Sequence, residues 1–258
     1  MRLAVMVLAC GLASCGRVGF DARGDGGAGP TGDGANDTAM DGIPSNLVVS
    51  LFAWYPLDDD IAGSGMTRDA SGHGRTMTCS PAVRCPRSTA GRGAATAGLF
   101  DSAGRRLWQP TGTKADLPRF TAAAWIKLER RPSDFEMVVA RPIAGGSANS
   151  FGLDHATSGL LEYYSEGGAS LFSMAMLPIG TWTHVALAYD GTTKFIFING
   201  STVGSGSTGV PVTYDASPLI IGADITSGAV DHNFQGSIAD VMIFDRALSQ
   251  DEVRLIAQ

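Results

Sequence analysis

Charge is scarce in this sequence. Only 17% of its 258 residues are Asp, Glu, Lys or Arg, the net charge is −6, and Lys and Arg never run longer than two. That excludes the basic face with which proteins meet nucleic-acid phosphates. Glutamate is scarcer still: of 25 acidic residues 5 are Glu and the rest Asp. Asp favours turns and supplies hard oxygen ligands, so the skew permits calcium without requiring it. The four histidines, at 73, 155, 184 and 232, are too scattered to read as a metal cluster.

Glycine is plentiful, at 34 residues, and 44% of the chain is hydrophobic. Together they favour short strands joined by tight turns over long amphipathic helices. Residues 181–204 show the pattern best. Val185, Leu187 and Tyr189 alternate with His184, Ala186 and Ala188, and Asp190-Gly191 then turns the chain. Residues 194–198 are apolar on both faces, which predicts a strand covered on both sides. Asn199-Gly200 follows, a strong hairpin signal between apolar runs.

The N-terminus reads as an export signal. Residues 3–13 are mostly apolar but too short to cross a membrane as a helix. They end in Leu12-Ala13-Ser14-Cys15, which resembles the bacterial lipobox. The expectation is a signal peptide over 1–14, lipid on Cys15, and attachment at the outer membrane or cell surface. Cys10 is a weaker second match. Residues 15–46, rich in Gly and Asp, predict a disordered tether with a reach on the order of 30 Å. Within it, Arg23-Gly24-Asp25 and the sequon Asn36-Asp37-Thr38 read as chance spellings.

The folded domain is expected over 47–258. Residues 51–57 predict a first strand, and roughly a dozen more follow. Cys79 and Cys85 bracket five residues and point to a disulfide in an oxidising compartment. A zinc site is the alternative, but no further Cys or nearby His completes four ligands. The one helix signal is at the end, where Ser249 and Glu252 form a capping box before Val253, Leu255 and Ile256.

The order of pieces resembles the laminin-G type 3 domain, a member of the concanavalin A-like lectin/glucanase superfamily. The resemblance rests on Trp54-Tyr55-Pro56-Leu57-Asp58, Asp69-Ala70-Ser71-Gly72-His73-Gly74, Trp182-Thr183-His184-Val185-Ala186, Phe197-Ile198-Asn199-Gly200 and residues 236–249. It implies an all-β jelly-roll sandwich of two curved antiparallel sheets with a short C-terminal helix. It also implies a non-catalytic module that binds carbohydrate or a surface protein, with a structural envelope protein acting by protein contact as the alternative. A structural calcium is common in such domains, and Asp58, Asp69, the Gly72 carbonyl and Asp240 are the ranked donors.

Hydrolysis in this superfamily needs paired inward carboxylates. Glu162 and Glu166 are the nearest pair, four apart on one strand face with no Asp between them. The expectation is therefore a protein that is not an enzyme, with a glycan hydrolase as the minor alternative. Ligand contact is expected from aromatic rings on which sugars stack, at Trp108, Tyr163, Tyr164 and Tyr214.

Overall fold

The computed structural model describes residues 43–258 apart from 94, 102, 110–115, 147 and 167. The signal peptide, Cys10, Cys15 and most of the tether lie outside the described residues. No helix among the described residues is long and apolar enough to cross a membrane.

Two large antiparallel sheets face one another. The first runs in the order Ser201–Ser207, Thr193–Ile198, Thr183–Tyr189, Phe120–Leu128, Gly236–Phe244, Thr96–Phe100 and Arg87–Ala90. Leu51–Tyr55 also pairs with Gly236–Phe244. The second runs Leu171–Met176, Leu160–Tyr164, Ala148–His155, Glu136–Ile143, Ile220–Ile221, Leu107–Trp108, Met77–Thr78 and Met66–Thr67. A separate hairpin, Asp224–Thr226 with Ala229–Asp231, gave no clear sequence signal.

The hairpins at 183–207 form as their turns dictate. Asn199 and Gly200 both take positive φ, at 48° and 73°, the backbone a two-residue hairpin turn requires. Alternation then divides the side chains. Val185, Leu187, Tyr189 and Ile196 enter the core between the sheets. Across that core the rings of Phe120 and Phe151, one from each sheet, lie 4.5 Å apart. On the far side of the first sheet, Ala186, Ala188 and Phe197 join a second apolar cluster. The C-terminal helix Gln250–Ile256 contributes Val253 and Ile256 to it, and Leu47 closes its other end. Ser249 and Glu252 form the expected capping box.

One irregularity organises the first sheet. Along a single edge, Gly236–Phe244 pairs with Thr96–Phe100 through residues 236–238 and with Leu51–Tyr55 through 241–244. Between the two runs Asp240 sits at φ 49°, and the register with Phe120–Leu128 shifts across it. Its carboxylate accepts a hydrogen bond from the Trp54 indole at 3.2 Å. Cys79 and Cys85 form the expected disulfide, with the cis Ser80-Pro81 bond inside its loop.

Candidate functional site

The outer face of the second sheet carries the chemistry. Residues directly opposite in neighbouring antiparallel strands project to the same face. The register therefore lines up Met137, Asp154, Glu162 and Phe172 across four successive strands. A neighbouring row holds Trp108, Ile220, Ala140, Gly152 and Tyr164. Gly152, opposite Tyr164, has no side chain, and the Met137 thioether packs against the place its Cβ would take.

The hairpin 224–231 and Phe135 wall this floor into a cavity of about 390 Å³. Asp224, Ile225 and Thr226 form one side. Phe135 and His232 meet edge to face at 6.2 Å on another. The hairpin can come this close because position 146 is glycine: a Cβ there would lie 2.3 Å from the Ile225 carbonyl oxygen.

Three carboxylates line the cavity and are almost wholly buried: Asp154 is 2% exposed, Glu162 4% and Asp224 4%. Asp224 is the best satisfied, accepting from the Asn149 amide at 2.6 Å and from the Ile225 N–H at 2.7 Å. The other two are not. Asp154 Oδ1, Glu162 Oε2 and Asn149 Oδ1 are buried without a hydrogen-bond partner among the described residues. Burial, with Glu162 and Asp224 as like charges nearby, pushes the Asp154 carboxyl well above the ordinary range. Burial also raises Glu162, and the Ser170 hydroxyl and Lys194 pull it partly back. Lys194 approaches from the first sheet, donates to the Ala169 carbonyl at 2.8 Å, and lies 4.8 Å from the Tyr163 ring centroid. Its own pKa is pushed down to about 8 by burial, against the pull of Glu162.

The expected ligand-binding aromatics separate. Tyr164 is half-buried and lines the cavity, with its hydroxyl 3.4 Å from Glu166. Trp108 shares its row, four strands and about 19 Å away at ordinary strand spacing, beneath the Arg106 guanidinium. Tyr163, one residue from Tyr164, points the other way. It is 0% exposed in the core between the sheets and offers no face to a ligand. Tyr214 packs against that same core and donates to the Leu117 carbonyl at 2.7 Å. Asp154 and Phe172, which sequence reading did not single out as site residues, lie in the central row with Glu162. Their signal is register, which needs the pairing of three strands to be known.

Three of the ranked calcium donors, Asp58, Asp69 and Asp240, have partners within the protein. Burial raises the Asp240 carboxyl, and Asp58 lies close enough to raise it further. Asp69 accepts the backbone N–H groups of Trp54, Ser71 and Arg75. Asp58 pairs with Arg68 at 3.1 Å, and Asp240 holds the Trp54 indole. Among the described residues no three His, Cys, Asp or Glu side chains are placed to hold a metal ion.

No curated protein matches the chain. Among solved structures, domain 4 of a GH43 extracellular arabinanase from Geobacillus stearothermophilus, in complex with arabinotriose, is similar at 18% identity. Its TM-score is 0.59, over 81% of this chain and 98% of that one. The binding domain of Paraclostridial Mosquitocidal Protein 1 is similar at 15% identity and TM-score 0.64, over 82% of this chain and 52% of that one. A Trypanosoma rangeli sialidase in complex with sialic acid is similar at 14% identity and TM-score 0.62, over 83% of this chain. The chain spans only 33% of the sialidase's length. At these identities the likeness is one of fold. The laminin-G type 3 family model, of the concanavalin A-like lectin/glucanases superfamily, matches residues 109–254, more than half of the sequence. The chain belongs to that family.

Proposed function

We propose that this protein is a non-catalytic carbohydrate-binding module, exported and held at the outer membrane or cell surface by lipid on Cys15. The observation that carries the binding reading is the cavity floor. Oxygen acceptors with no internal partner lie in a cavity lined by the half-buried Tyr164, and the exposed Phe172 pairs with Glu162 on the next strand. Unpaired buried acceptors cost stability, and sugar hydroxyls supply the missing donors. Rings at the rim give the apolar face of a pyranose or furanose a platform. A domain of the same fold was solved with arabinotriose, which supports the ligand class.

A glycan array probed with the full chain tests this. Binding to a defined group of glycans is the expected result. A silent array overturns the reading, and release of reducing ends from a bound glycan overturns its non-catalytic part.

A second reading, an envelope assembly protein acting by protein contact, is favoured by one feature. Phe172, Met174 and Met176 are 42%, 86% and 57% exposed on one face of the edge strand Leu171–Met176. A silent array with stoichiometric capture of one envelope protein, lost in Met174→Asp, would favour it.

A further inference from the structure

We infer that the sugar taken by this cavity carries a free amine, so that an ammonium group sits against Asp154 and Glu162. The inference rests on the carbohydrate reading above and names the class of sugar.

The argument is one of charge and of donors. The cavity lining contains three carboxylates and no Lys or Arg. Of the charged groups around it, Lys194 lies close enough to act on Glu162 but spends a proton on the Ala169 carbonyl. Asp224 has its hydrogen bonds from Asn149 and Ile225, and His232 stands near it. Asp154 has no such compensation: its nearby charges are Glu162 and Asp224, both of its own sign. A neutral sugar would cover this acidic lining without supplying a counter-charge, which leaves the carboxyls to stay protonated or to bear the cost of burial. An ammonium supplies both the charge and three donors. Asn149 makes the case independent of the acids. It is 5% exposed, uses its amide on Asp224, and leaves its carbonyl oxygen unmatched. A metal ion is the other cation that could answer such a cluster, and among the described residues no three His, Cys, Asp or Glu side chains are placed to hold one.

The test is calorimetric titration of the full chain with a deacetylated chitosan oligosaccharide and with its N-acetylated counterpart of equal length. Both run in parallel with an array that pairs free-amine and N-acetylated forms of other aminosugars. The expected result is that a free-amine form binds on the order of tenfold tighter than its acetylated partner, the size of one charged hydrogen bond. In Asp154→Asn that ratio falls toward one, and in Asp224→Asn it falls less. Equal affinities, or tighter binding of acetylated or neutral glycans, overturn this inference and leave the carbohydrate reading standing. No glycan binding of any kind overturns both.

Discussion

Asp154 and Glu162 stand opposite one another on adjacent antiparallel strands, both almost wholly buried, and each keeps an oxygen that accepts nothing. A fold selected for stability alone would not hold two acids this way. The pair makes a stability prediction with a definite sign. Burial raises the Asp154 pKa above its ordinary 3.8, so the native state holds the proton to higher pH than the unfolded chain. Its contribution to stability is full below 3.8 and is lost as pH rises through the raised native value. Asp154→Asn removes that loss. The variant should melt several degrees above wild type near neutral pH, with the gap closing toward about pH 4. Thermal melts across pH check it, and a variant less stable at neutral pH contradicts it.

His184 gives the opposite slope. It is buried on the outer side of the first sheet against Trp125, with the Arg92 guanidinium over the same indole. Burial first, then Arg92, pushes its pKa down from 6.5 to about 3. The unfolded chain therefore takes up a proton that the folded one refuses. Stability is full above 6.5 and is lost as pH falls toward 3, by roughly 3–5 kcal/mol over the whole interval. His184→Gln should flatten the acid limb of a denaturant-midpoint profile. An unchanged limb would show that the imidazole is reached by water.

Tyr163 and Tyr164 are neighbours in sequence and opposites in role. Tyr163 buries an unpaired hydroxyl in the core, so Tyr163→Phe should leave stability unchanged or raise it slightly. Tyr163→Ala should cost about 3–5 kcal/mol through the cavity left behind. Urea titration measures both.

That pair also shows what the sequence could and could not reveal. Turn chemistry fixed the hairpins locally: Asp190-Gly191 and Asn199-Gly200 need no distant partner. The C-terminal cap and the disulfide were readable for the same reason. Tyr163 and Tyr164 look alike because alternation tells which residues share a face, not which face is the core. Asp154 carries no local signal, because its meaning comes from Glu162 and Met137 on the two neighbouring strands. Asp240 reads in sequence as a turn or donor Asp; that it also shapes a bulge and holds an indole is set by register.

The anchor is tested separately. Cys15→Ser should abolish labelling by a fatty-acid probe and release the chain to the soluble fraction. Loss of both in Cys10→Ser, with Cys15→Ser unaffected, would move the lipidation site. No effect of either change would remove the lipid anchor from the account.

The central claim is that the outer face of the second sheet holds a sugar. The direct measurement is calorimetric titration of the full chain with the glycan that binds best on the array, beside the double variant Tyr164→Ala, Phe172→Ala. Both side chains are at least partly exposed, so the variant should fold. The account predicts saturable binding by wild type and a loss of at least roughly tenfold in the variant. Wild-type affinity in a folded double variant would place the ligand elsewhere and contradict the account.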